Sequence, residues 1–503
     1  MFLWLAALTF GSHEPLFYRA AFSPSPEAVA PAADDPDALL KAYDNALSNK
    51  RFDEALATAK KLQPDRPEGQ AFAAALQASA LLGLKRDAEA RALLARAEQL
   101  APHSAEPSRV LFIGALVTDR PEFAADALDR MIARAPDMVR DLDWDTVRYF
   151  LQKEPKGQDI RNEDRRIALA RIGYGGETEI GHWRAADAVD ILVKRGDFAG
   201  ARELLQYVNE PEAYEDMLIQ KRYAPLWPQL GELGGPHLER VRESSLQGIQ
   251  AEYSNAPNDQ EKLNLYVNAL RHSGRYDEAI ALRSKVPATV AAMSSADEPM
   301  GWTVNNIALA LHDAGRAEDA DNLFAMLNDA PMPKEYWRVS MKINRLELLV
   351  EDGKFEKALP LIEPTAKTEG SPYADQLVRR LRYCTLSSLG RKDEAAKYLP
   401  DLMKHAADAP GPTIDGLLCG GDLDKAEQVA LDTLGSKDKA AGFEKDFIRR
   451  LQAHRLTSDD PSVWQGRWQE LRAKPAIKQA FDRLGRDLPP EFLLPDRLNA
   501  STK

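Results

Sequence analysis

The sequence predicts an all-α chain built as a solenoid of helical hairpins, and three observations carry that reading. A six-residue turn pattern recurs along the chain, ending each time in an alanine that opens a second helix. The first three of these alanines, Ala55, Ala90 and Ala124, stand 35 and 34 residues apart. Apolar residues around the turns keep helical spacing, as Val304, Ile307, Ala308 and Leu311 do before one turn and Leu323, Phe324 and Leu327 after it. A period near 34 implies stacked repeats, which also suits a chain of 503 residues, too long for one ordinary core.

The clearest copies lie between residues 263 and 331. One turn reads Gly274-Arg275-Tyr276-Asp277-Glu278-Ala279 and the next Gly315-Arg316-Ala317-Glu318-Asp319-Ala320. Glycine ends the first helix in a left-handed conformation, and the acidic pair sits where the dipole of the next helix favours negative charge. The alanine marks the close crossing of the two helices, where a larger side chain would force them apart. Earlier copies start at Lys50, Lys85 and Asp119. Pro67, Pro102 and Pro136 follow their alanines by twelve residues and stop the second helices. Further turns start at Gly196, Gly353, Gly390 and Gly421, which makes nine between residues 38 and 434.

Two gaps of about two periods interrupt the series. The one between Ala124 and Ala201 holds helical stretches at 144–151 and 165–172 and is expected to hide a copy with an eroded turn. Gly173-Tyr174-Gly175-Gly176 within it reads as an interhelical loop, because no strand precedes it and no Lys-Ser/Thr follows. The other gap contains 223–236 (YAPLWPQLGELGGP), whose three prolines predict an irregular helix pair and a bend. The expected organisation is a signal segment and linker at 1–37, repeats at 38–222, an irregular hinge at 223–262, repeats at 263–434, and a helical cap and tail at 435–503. Helices are expected in the cap at 443–456, 463–473 and 475–484.

The period, the turns and the closing prolines together resemble the tetratricopeptide repeat. The match is degenerate, since the family's Trp and Gly in the first helix are mostly missing and later alanines stand 41, 38, 37 and 31 residues apart. The resemblance implies a right-handed superhelix whose first helices line a concave surface that receives peptides. It implies groove asparagines, which both donate and accept as a peptide unit does. Asn268 stands eleven residues before Ala279, Asn306 fourteen before Ala320 and Asn344 fourteen before Ala358. Tyr266 and Trp302 are neighbouring aromatic candidates. The basic residues of a carboxylate clamp are missing where they were sought: Asn264 stands fifteen before Ala279 and Ser340 eighteen before Ala358.

Composition narrows the function further. Lys plus Arg total 66 against 78 for Asp plus Glu, a net charge of -12, which argues against nucleic acid as a partner. Residues 437–503 carry 14 basic and 10 acidic side chains, read as a solvated helix face. The eight histidines are scattered, and there is no HExxH, nucleophile elbow, Walker loop or paired-cysteine motif. The acidic pairs of the turns are read as dipole partners rather than catalytic groups. No catalytic site, cofactor, metal or small-molecule substrate is expected. Cys384 and Cys419 are expected as small buried hydrophobes, not as a disulfide.

The run MFLWLAALTF at 1–10 is far short of a membrane span. With the small residues at 28–33 it fits the hydrophobic part of a secretory signal, although no basic residue precedes it. Export to the periplasm or outside the cell is the expectation, with the cytoplasm as the alternative. The expected function is a non-catalytic scaffold holding a peptide or partner domain in its groove. The alternative is an accessory subunit of an enzyme or envelope complex that docks through its C-terminal helices.

Overall fold

The computed structural model describes residues 35–176, 179–330, 337–367, 370–436, 440–453 and 463–493. The apolar run at 1–10 expected as a signal, the small-residue stretch at 28–33, the end of the expected 443–456 helix and the last part of the tail lie outside them. Among the described residues the fold is all-α, with successive helices packed as antiparallel pairs. The chain divides into two compact units at Leu192/Val193.

All nine turn residues adopt left-handed backbone angles, with φ from 56° at Asp119 to 81° at Gly421. The next N–H then reaches back to a carbonyl five residues earlier, as from Arg51 to Ala46 (2.8 Å), Arg316 to Leu311 (2.8 Å) and Lys354 to Leu349 (2.7 Å). This satisfies carbonyls that a helix end would otherwise leave open. The nine turn alanines are buried to 2 % exposure or less, as the close helix crossing requires. The turn arginine also pairs with the acidic residue three positions on, in Arg51–Glu54, Arg86–Glu89, Arg275–Glu278, Arg316–Asp319 and Arg391–Glu394. These pairs are exposed and screened by solvent, so they add little to stability. The first gap does hold an eroded copy: Gly173 has φ 70°, and the Tyr174 N–H donates to Leu169 O at 3.0 Å.

In the first unit the helices Pro36–Ser48, Pro67–Gly83 and Glu106–Val117 each lead a pair. Pro67–Gly83 is apolar on nearly every side because Ala71, Ala75, Ala78 and Ala80 let its neighbours approach closely. Gly114 packs directly on Ser79, where a Cβ would collide. Phe112 and Phe150 meet edge to face at 5.6 Å in the centre of this core. Ion pairs tie one repeat to the next, including Arg120–Asp87 and the fully buried Arg165 to Asp129 (2.6 Å).

The second unit closes on itself. The C-terminal helices Ala440–Arg450 and Pro475–Leu484 pack on the last helix of the series, Leu423–Gly435, and also reach the unit's opening segment. Arg449 pairs with Asp216, Gly485 forms a bridge with Gln220, and the Arg486 Nε–H donates to Leu218 O at 2.7 Å. The Arg486 guanidinium lies 3.4 Å from the centre of the Trp227 ring. The segment at 223–240 is irregular as its prolines predict, with His237 (φ 54°) and Leu238 (φ 56°) both left-handed. It lies inside this unit.

Two expectations are corrected here. Among the described residues the basic side chains near the C-terminus are only partly a solvated face: Lys445, Lys478 and Arg483 are exposed, while others are engaged within the unit. Lys445 and Arg449 neutralise Asp216, Arg450 meets Asp415 and Asp446, and Lys474 meets Asp424 and Glu427. Cys384 and Cys419 are buried as expected, but they are joined in a disulfide with their Cα atoms 5.1 Å apart. The bond links the first helices of two consecutive pairs, Pro372–Ser388 and Pro410–Gly420.

Candidate functional site

The first helices of consecutive pairs in the second unit, Glu298–Asp313, Trp337–Glu351, Pro372–Ser388 and Pro410–Gly420, stack against one another. Together with Arg450 they line a cleft of about 610 Å³. Its apolar walls include Val339, Ile343, Ala374 and Leu377, and its charged walls are Glu347, Glu351, Arg380, Asp415 and Arg450.

Trp302 and Asn344 are brought together in this cleft. The Trp302 indole N–H donates to Glu298 at 3.3 Å. Asn344 is half-buried and its amide donates to Asn305 Oδ1 at 2.7 Å. Asn306, 9 % exposed, donates to Asn264 Oδ1 at 2.9 Å, and Asn305 donates to Asn306 at 3.3 Å. The asparagines thus form a ladder across three first helices, Gln260–His272, Glu298–Asp313 and Trp337–Glu351. Much of their hydrogen bonding goes to one another, because buried amides need partners. Asn268 is half-buried on the first of these helices, outside the cleft lining. Tyr266 stacks on Tyr253 at 5.3 Å and is likewise outside it.

The charged residues were missed, although their register is regular. Glu347 stands eleven residues before Ala358, Arg380 fifteen before Ala395 and Asp415 eleven before Ala426. Eleven is the spacing of Asn268 before Ala279, and fifteen is the spacing at which Asn264 stands in place of a basic residue. A search for asparagine alone passes over the carboxylates, and the arginine sits one repeat beyond the places where a basic residue was sought.

Ion pairs organise the cleft. Arg380, 3 % exposed, pairs with Glu347 and lies 4.0 Å from Asp415. Arg450 Nη1 donates to both Asp415 oxygens (2.7 and 2.6 Å) and its Nε to Asp446 (2.9 Å). The Trp468 indole N–H donates to Asp415 Oδ1 at 2.9 Å. Gly411 makes room for this arrangement, since a Cβ there would strike the Asp446 carboxylate. Burial opposes the charge of Arg380, but Glu347 and Asp415 outweigh it and raise its pKa above the usual value. Asp415 and Asp446 do the same for Arg450. Glu351 behaves oppositely: burial, reinforced by the Glu347 carboxylate, pushes its pKa up to about 8.

Among the described residues, no cluster of His, Cys, Asp and Glu is placed to hold a metal ion. No helix among them is long and apolar enough to cross a membrane. No family model matches the chain, and no curated protein matches it. A solved structure of Naa15/Naa10 bound to HypK-THB is similar at 13% identity and a TM-score of 0.27, covering 89% of this chain and 78% of that one. The crystal structure of Ton1535 from Thermococcus onnurineus NA1 is similar at 14% identity and a TM-score of 0.24, covering 77% and 86%. At these scores neither likeness carries an argument about function.

Proposed function

We propose that the chain is a non-catalytic scaffold of the tetratricopeptide kind that holds an extended peptide segment in the cleft of its second unit. One observation supports this most: a cleft of about 610 Å³ runs along consecutive first helices, with Trp302, Ser340 and Asn344 among its walls. Such a surface offers aromatic area and polar groups at the spacing of repeated helices, which suits a chain lying across them. Its arginines and carboxylates are arranged as mutual pairs rather than around a nucleophile. Several basic side chains of the C-terminal helices, Arg449 and Lys474 among them, are engaged within the unit, so we place the partner contact in the cleft. We also propose that the protein works outside the cytoplasm, a reading favoured by the disulfide together with the apolar run at 1–10.

The test is a crosslinked capture with the full chain, followed by reconstitution of the captured partner from purified components. A Trp302→Ala/Asn344→Ala variant with an unchanged helical signal is expected to bind that partner at least about tenfold more weakly, as loss of a buried aromatic anchor commonly does. Equal binding by both proteins would remove the contact from the cleft.

A further inference from the structure

We propose that the cleft accepts a basic side chain, lysine or arginine, of the bound peptide, and that Glu351 is the carboxylate that meets it. This inference rests on the reading of the cleft as a peptide-binding surface and names the chemistry of its occupant.

The argument is one of charge. Three carboxylates and two guanidinium groups line the cleft. Arg380 is engaged by Glu347 and lies near Asp415, and Arg450 is held by Asp415 and by Asp446 beyond the cleft wall. An incoming carboxylate would have to break one of these pairs and leave a buried acid uncompensated, which is strongly unfavourable. The third lining carboxylate, Glu351, leaves the cleft one negative charge in excess when it is ionised. The charged groups that act on it are Glu347 and Asp352 from its own helix, Arg380 from Pro372–Ser388 and Asp415 from Pro410–Gly420. Asp352 is itself engaged by Lys354 (2.9 Å) and by His312 from the preceding repeat (2.8 Å). The balance at Glu351 is negative, so a cation is the group whose arrival relieves it.

The walls suit a long basic side chain. Trp302 and Tyr373 offer aromatic faces, and Tyr373 is 51 % exposed. Aromatic faces attract ammonium and guanidinium groups and pack on their aliphatic stems. Binding also carries a proton signature. A cation pairs with ionised Glu351, whereas the empty cleft holds that group largely protonated below pH 8. Affinity for a basic peptide therefore rises with pH up to about 8, by as much as about tenfold per unit.

The experiment uses the full chain and four pools of rhodamine-labelled nonapeptides, acetylated and amidated. The central residue is fixed as lysine, arginine, glutamate or norleucine, between randomised neutral flanks. Fluorescence anisotropy is read at pH 6, 7 and 8 for the wild type, Glu351→Gln and Trp302→Ala. The lysine or arginine pool is expected to bind about tenfold or more tightly than the norleucine pool, with glutamate weakest. The preference and its rise with pH should vanish in Glu351→Gln, while the pH dependence of the wild type gives a reading independent of any variant. If norleucine and glutamate pools bind as well as lysine and Trp302→Ala abolishes all binding, the peptide cleft stands and the basic occupant falls. A preference that persists in Glu351→Gln overturns the role of Glu351. If no pool binds, both readings fall together.

Discussion

The two units close their helical hairpins in the same left-handed turn, but with different residues in it. In the first unit Lys50, Lys85 and Asp119 occupy the position at φ 56–59°, with glycine only in the eroded copy at Gly173. In the second, all six turns of the series carry glycine there. The first helices differ as well. Pro67–Gly83 buries alanines and leucines almost all round, whereas Pro372–Ser388 buries Gln376, Arg380 and Thr385. The first unit thus tolerates strained turns around a dense apolar core. In the second, the glycine turns of the series are relaxed, with left-handed strain among the described residues confined to His237 and Leu238, and the first helices carry buried charge and border an open cleft.

The disulfide gives the largest way to sharpen that contrast. Closing a loop across a separation of 35 residues is worth about 3–4 kcal/mol in the chain-entropy account. The double variant Cys384→Ala/Cys419→Ala is expected to lose about that much in the second unit, measured by denaturant unfolding of the full chain. Reductant should produce the same loss in the wild type and none in the variant. A change of similar size in the first unit would break the comparison.

Glu351 supplies the next test. Its pKa is raised from 4.5 to about 8 on folding, so the folded state holds the extra proton between those values. Stability contributed by that proton is present below about pH 4.5 and is lost as pH rises toward 8. The slope reaches at most about 1.4 kcal/mol per pH unit. Glu351→Gln is expected to remove this slope, and stability measured from pH 5 to 8 in both proteins checks it. An unchanged slope would place the titration elsewhere.

The turns give the smallest effects. A left-handed L-residue costs roughly 1–2 kcal/mol, and glycine gives part of that back as unfolded-chain entropy. Lys85→Gly should therefore stabilise the first unit by about 0.5 kcal/mol, and Gly315→Ala should destabilise the second by about 1 kcal/mol. No atom lies within 4 Å of a Cβ built on Gly315, so its loss reports backbone conformation alone. Thermal unfolding reads both, and opposite signs are the expected outcome.

What could be read in the sequence follows the range of each interaction. The turns depend on six adjacent residues, so Gly315 through Ala320 carried their own signal. The contacts of Asp216 with Arg449 and of Leu218 with Arg486 join residues more than 230 positions apart, and no local pattern announces them. The cysteine pair had a signal in its separation of about one repeat, which was outweighed by the hydrophobic character of the segments around it. Asn306 shows the limit of a motif: its place on the first helix was legible, but its use in bonding Asn264 depended on the neighbouring repeat.

The central claim is that the second unit, and not the first, holds the peptide. The most direct measurement is fluorine NMR of the full chain with 5-fluorotryptophan at its eight tryptophan positions, titrated with the lysine-centred nonapeptides. Trp302, in the cleft, and Trp144, edge to face with Trp183 in the first unit, serve as paired reporters, assigned through single Trp→Phe variants. The expected result is a saturable shift of the Trp302 resonance with Trp144 unmoved. A Trp144 shift with Trp302 unmoved, or no shift in either, would contradict the account.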